Sequence, residues 1–200
     1  MPFINTRAIQ LSMRKLKLQV QISVDGFVAR PNGDEDWVTR SADEKLFQLI
    51  NDIADTADTL LLGRKMAENF IPHFEEFVTD SPKITFAQKM VNIPKMIFTK
   101  TLDKPFSQNT SLAKGNLDDE IAKLKAQDGK DILVYGGAGF VSALIAGGHI
   151  DEFFLFVNPV LINKGMRIFE LLDNQQNLSL ITAVPFESGV TVLHYKLIRE

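Results

Sequence analysis

The stretch Asp131-Ile-Leu-Val-Tyr-Gly-Gly-Ala-Gly-Phe-Val-Ser-Ala-Leu-Ile145 constrains this chain more than any other. A short apolar run ends in Gly136, Gly137 and Gly139, and apolar residues at helical spacing follow at once. That is the pattern of a strand turning directly into a helix. Glycine there lets the backbone adopt angles that other residues resist and lets a ligand come close. The helix that follows offers unpaired N–H groups and the positive end of its dipole, which suits a phosphate. Small residues also serve helix–strand packing, so a tight βα turn is the plain alternative.

The rest of the chain repeats this alternation. Residues 16–22 (Leu-Lys-Leu-Gln-Val-Gln-Ile) have the period of a half-buried strand, and 59–62, 95–99, 132–135 and 152–157 are further short apolar runs. Between them lie helical patterns. One opens at Ser41, with Glu44 in capping-box position; others cover 67–70 up to Pro72, 84–91, about 117–127 and 140–146. Two last runs, 178–186 and 190–198, flank Glu187-Ser188-Gly189, a hairpin signal. Strands alternating with helices predict an α/β three-layer sandwich around a mostly parallel mixed sheet with a C-terminal antiparallel hairpin. Ligands of such sheets bind at the carboxyl ends of the strands. Residues 13–200 read as one domain. Residues 1–12 read as a poorly ordered extension, with Met13 an alternative start.

Composition removes several chemistries. The chain has no Cys, so disulfides, thiolate catalysis and zinc–thiolate or iron–sulfur sites are excluded, and the cytoplasm is the expected compartment. A net charge of −3 argues against nucleic acid as a partner, and no apolar run approaches the ~20 residues of a membrane span. His73, His149 and His194 show no metal-ligand spacing, and no metal is expected. Neither a nucleophile elbow nor a phosphate loop ending in Gly-Lys-Ser/Thr occurs. The dinucleotide fingerprint also fails: counted from Gly137 and Gly139, its third glycine falls on Ser142, and the acidic residue ~20 positions on is missing.

Three other groups of residues could carry chemistry. Gly63-Arg64-Lys65 follows one apolar run and Thr99-Lys100 another, so each places a cation at a strand end, where guanidinium and ammonium can hold phosphate oxygens. Such cations are also ordinary surface charges. Ser23-Val24-Asp25-Gly26 closes the first strand, with Trp37 and Asp43 downstream. A carboxylate there can orient a substrate or relay a proton, or simply make a turn, and Asp43 can equally stabilise a helix start.

Together these segments resemble the dihydrofolate-reductase-like superfamily, and most nearly the reductase domain of the riboflavin-pathway bifunctional deaminase–reductase. The resemblance rests on 23–26, 62–65, 97–100, 134–139, and Asp151-Glu152 leading to 158–161 and Gly165, in that order. It implies a sheet of about eight strands and NADPH bound across their carboxyl ends. Gly136, Gly137, Ala138, Gly139 and Phe140 would hold the pyrophosphate. Gly63, Arg64, Lys65, Thr99 and Lys100 would face the adenosine side and its 2′-phosphate. Asp25 and Asp43 would be catalytic, with Asp25 and Trp37 binding substrate.

The implied activity is hydride transfer to a C=N or C=O bond of a small heterocyclic or sugar-derived substrate, as in reduction of a phosphoribosylamino-pyrimidine. A homodimer is expected. The alternatives are dihydrofolate reduction and a non-catalytic NADP(H)-binding sensor. The chain departs from the family at Met66, where threonine is expected, and at Tyr135, where the riboflavin enzymes tend to carry an acid. It also lacks a deaminase zinc motif.

Overall fold

The computed structural model describes residues 13–39, 43–78, 84–105 and 107–199. In chain order its elements are β1 (Leu16–Ser23), α1 (Glu44–Asp55), β2 (Ala57–Gly63), α2 (Arg64–Phe77), α3 (Ile84–Asn92), β3 (Lys95–Phe98) and β4 (Thr110–Ala113). There follow α4 (Leu117–Lys125), β5 (Asp131–Val134), α5 (Ala138–Ala146), β6 (Glu152–Asn158), β7 (Leu178–Pro185) and β8 (Thr191–Leu197). All strands join one sheet in the order β4-β3-β2-β5-β1-β6-β8-β7. The first six are mutually parallel, and β8 runs antiparallel to both β6 and β7. The expected mostly parallel sheet with an antiparallel C-terminal hairpin is therefore the observed one. The residues expected to form an N-terminal extension, 1–12, lie outside the described residues.

Alternation along the strands builds the three layers. Leu16, Leu18, Val20 and Ile22 of β1 pack with Ile132, Val134 and Phe153 against Ile121 and Leu124 of α4 and Val141, Leu144 and Ile145 of α5. The opposite face, with Leu60, Leu62, Leu133, Phe154 and Phe156, is covered by Leu46 and Ile53 of α1, Ala67 and Ile71 of α2 and Met90 of α3. The amino-terminal edge of the sheet carries ion pairs, among them Lys17–Asp131 at 2.7 Å and Lys125–Asp151 at 2.5 Å. The carboxyl edge is left for the site.

Three elements depart from the sequence reading. α2 runs through Pro72 to Phe77 instead of ending before it. An interior proline costs a helix ~3 kcal/mol. Burial of Ala67 and Ile71 and the Phe70–Phe74 and Phe74–Phe86 ring contacts offset that cost. β4, Thr-Ser-Leu-Ala, is too short and polar to show a period, and forms by pairing with β3. Ser41, expected to cap α1, lies outside the described residues; the observed N-cap is Asp43.

Candidate functional site

Two βα turns meet at the carboxyl edge. β2 passes into α2 at Gly63, and β5 passes through Tyr135, Gly136 and Gly137 into α5. Gly136 has φ 57° and Gly137 φ 88°, in the left-handed region open chiefly to glycine, so the chain can reverse within two residues. The turns nest closely: a Cβ built on Gly63 would lie 3.0 Å from that of Phe140, and one on Gly137 3.5 Å from the Gly63 Cα. Met66, in place of the expected threonine, lays its thioether against Gly136.

Both helices start without a side-chain cap and with no acid in the first turn. Their free N–H groups and positive dipole ends therefore open into the same space, an arrangement that attracts an anion. Among the described residues, nothing lies within 4 Å of where a Cβ would be on Gly139, in the first turn of α5. Backbone is bared there with room in front of it.

The space is a cleft of about 700 Å³. Gly63, Arg64, Lys65, Gly136, Gly137, Ala138, Gly139 and Phe140 all line it, so eight expected site residues are brought together. Arg64 is held at the lip by an i,i+4 pair with Glu68 at 2.7 Å, both side chains more than a third exposed. Such a pair is worth only ~0.3–0.5 kcal/mol, so a phosphate can compete for the guanidinium. Lys65 is exposed beside it. The 30–36 loop, closed by Arg30–Asp36 at 2.5 Å, brings Asp34 and Glu35 to the lining as well. The cleft thus carries both cations and acids.

The remaining expected residues do not line it. Thr99 is buried, and its Oγ1 accepts from the N–H groups of Thr101 and Leu102 at 3.1 Å each, making a turn after β3. Lys100 is exposed next to it. Asp25 accepts from the Ser23 hydroxyl at 2.6 Å and from the backbone N–H groups of Ile162 and Asn163 at 3.1 and 2.8 Å. These bonds, that of Ser23 foremost, hold its carboxyl below the usual range. The residue staples the end of β1 to the loop after β6.

Asp43 caps α1 through the Leu46 N–H at 3.0 Å and receives the Ser188 N–H at 3.2 Å. The same contacts, Leu46 first, lower its pKa. Trp37 is half-buried, and among the described residues its Nε1 meets no acceptor. Asp25 and Asp43 thus have their oxygens committed to holding loops and a helix end, not to the cleft.

Sequence reading missed the floor. Gln19, Gln21 and Tyr135 line it, with Phe70 and Asn69 at one side and the stacked pair Phe98–Phe140, rings 4.8 Å apart, at the other. The Tyr135 hydroxyl donates to Gln19 Oε1 at 2.9 Å, and burial raises the phenol above its ordinary range, so it stays protonated. A signal for the glutamines was present: a central parallel strand covered on both faces is ordinarily apolar throughout.

The RibD C-terminal domain model matches residues 14–192. The chain belongs to this family. It is 31% identical over 190 residues to the uncharacterized protein YyaP of Bacillus subtilis (strain 168), covering 92% of this chain and 96% of that one. It is 23% identical over 164 residues to the riboflavin biosynthesis protein RibD of Corynebacterium ammoniagenes, covering 81% of this chain and 48% of that protein. Among solved structures, the "putative riboflavin biosynthesis protein" of Shewanella sp. PV-4 superimposes with TM-score 0.69 at 22% identity, covering 94% of this chain and all of that one. Dihydrofolate reductase from Enterococcus faecalis, complexed with NADP(H), gives 0.61 at 13% identity over 92% and 97%. The fold is therefore shared with RibD-like and dihydrofolate-reductase-like proteins. Among the described residues no helix is long and apolar enough to cross a membrane, and no acid–histidine group could hold a metal.

Proposed function

We propose that this chain is an NADPH-dependent reductase acting on a C=N or C=O bond of a small heterocyclic or sugar-derived substrate. The observation that carries the reading is the convergence of two uncapped helix N-termini, α2 and α5, on a cleft where Gly139 leaves room for a phosphate. The RibD family membership and the NADP(H) complex of the Enterococcus faecalis neighbour support the same reading. The glycines and first-turn N–H groups of α5 would take the pyrophosphate, and Arg64 with Lys65 the 2′-phosphate, where a forked donor set matches three oxygens. When bound, the cofactor supplies the hydride. The protein's share is to position the ring, exclude water and present polar partners from the floor.

NADPH at about 100 times its Kd should add ~2.7 kcal/mol of stability, which in a domain of this size raises Tm by roughly 5–11 °C. No rise would remove the cofactor from this reading. A rise without NADPH oxidation across carbonyl, imine and pterin substrates would leave a binding module only.

We also propose that two copies pair through β7. Among the described residues this edge strand exposes Leu180 and Ile181 as well as an unpaired row of backbone groups, a template for another strand. Light scattering should report a dimer that Leu180→Lys weakens; a monomer at micromolar concentration would end the idea.

A further inference from the structure

Gln19 and Gln21 sit two residues apart on β1, on the face opposite Leu18, Val20 and Ile22, and both line the cleft. What they offer a ligand depends on which amide end points outward. The answer for Gln21 comes from Asn158, fully buried at the end of β6. The Thr39 backbone N–H donates to Asn158 Oδ1 at 2.8 Å, and Asn158 Nδ2 donates to the Phe156 carbonyl at 2.9 Å. Backbone groups have fixed roles, so these two bonds settle the orientation of the Asn158 amide.

The same Nδ2 donates to Gln21 Oε1 at 2.8 Å, which turns the Gln21 oxygen inward and leaves its Nε2 to the cleft. Gln19 is fixed in the same sense. The desolvated Tyr135 O–H must find an acceptor and finds Gln19 Oε1, so the Gln19 NH₂ is the remaining end. Among the described residues neither Nε2 makes a hydrogen bond.

We infer that Gln19 and Gln21 are specificity-determining donors, which select substrates presenting hydrogen-bond acceptors to the floor of the cleft. Two residues along a strand place the Cα atoms that carry them about 6.6 Å apart, on one face. The ligand class is a planar ring whose facing edge carries carbonyl oxygens or unprotonated ring nitrogens. An edge of amino or N–H groups would set donor against donor. The inference rests on the reading of the cleft as a reductase site and names the substrate class for it.

Calorimetry on the full chain, with and without NADPH, would compare 1,2-naphthoquinone (two acceptors on one edge) with 1,3-diaminobenzene (amino donors and no ring nitrogen). The wild type should bind the quinone at least tenfold more tightly. Gln21→Glu keeps an oxygen for Asn158 Nδ2, so the fold is retained, but replaces the outward donor with an acceptor. The preference should then fall at least tenfold, and Gln19→Glu, which still accepts from Tyr135, should act in the same direction. An unchanged ratio in both variants, a wild-type preference for the diaminobenzene, or no binding of either probe to the folded chain would overturn the inference. If NADPH fails to stabilise the protein while the probe ratios behave as stated, the cofactor reading falls and the donor floor stands.

Discussion

Replacing Gly139 separates the needs of the fold from those of the ligand. A Cβ at this position meets nothing within 4 Å and, unlike Gly136 and Gly137, Gly139 does not have positive φ. In the free protein Gly139→Ala therefore brings no clash and no backbone strain. It adds helix propensity, worth ~1 kcal/mol in a helix interior and about half that in a first turn. At 2–4 °C per kcal/mol for a chain of 200 residues, Tm should rise by roughly 1–2 °C.

NADPH binding should move the other way, because the new methyl occupies the space through which phosphate oxygens reach the α5 N–H groups. A loss of at least tenfold, ~1.4 kcal/mol, is expected for Gly139→Ala, and more for Gly139→Val. Melting curves of free protein and NADPH titrations read the two effects separately. An affinity for NADPH within twofold of wild type in both variants would refute the assignment of the phosphate to this turn. Gly137→Ala could not make the distinction. Its φ of 88° would charge a side chain ~1–2 kcal/mol for the left-handed backbone, so stability and binding would fall together.

Arg64→Ala should weaken NADPH more than NADH, since the guanidinium is assigned to the 2′-phosphate; equal losses in the two titrations would move Arg64 off it. Asp25→Asn should lower Tm at neutral pH while leaving NADPH affinity unchanged, because the carboxylate holds Ser23, Ile162 and Asn163 and does not line the cleft. Its folded pKa is depressed, so its contribution is present above the unfolded value of ~3.9 and lost as pH falls through the folded one. The Tm gap to Asp25→Asn should therefore close in acid, and a gap independent of pH would show that the charge is immaterial.

Lys95 is buried, donates to the carbonyls of Val91 and Ile93, and burial brings its pKa down to about 8. The unfolded chain then holds more protons above that pH, so stability should rise with pH between about 8 and 10.5, by on the order of 3 kcal/mol. Lys95→Met should flatten that rise relative to wild type in denaturant titrations. Parallel pH profiles would count against it.

What could be read from the sequence was whatever local pattern decides. The Gly136–Gly139 turn and Gly63-Arg64-Lys65 belong to short βα junctions, and both arrived where strand–turn–helix chemistry puts them. Asp25 and Asp43 show the limit. Residue type and place, at a strand end and a helix start, were legible, but each carboxylate joins a local partner, the Ser23 hydroxyl or the Leu46 N–H, to an N–H group well over a hundred residues away, on Asn163 or Ser188. Pro72 misled for a similar reason, since packing of Ile71 and Phe74 decided a helix that propensity alone would have ended. The floor of the cleft was visible only as an oddity, amides on a strand destined for the middle of a sheet.

That central strand has a consequence for how the chain is made. Of the strands in this sheet β1 leaves the ribosome before the others, yet both of its neighbours come late: Leu16 pairs with Ile132 and Lys17 with Glu152. At ~5–20 residues per second, the growing polypeptide carries an unsatisfied apolar strand for on the order of ten seconds before either partner exists. Sequence-distant pairing of this kind slows folding and leaves nascent chains open to mispairing. Chains arrested before β6 should therefore engage chaperones or aggregate, although most of their residues are already in hand.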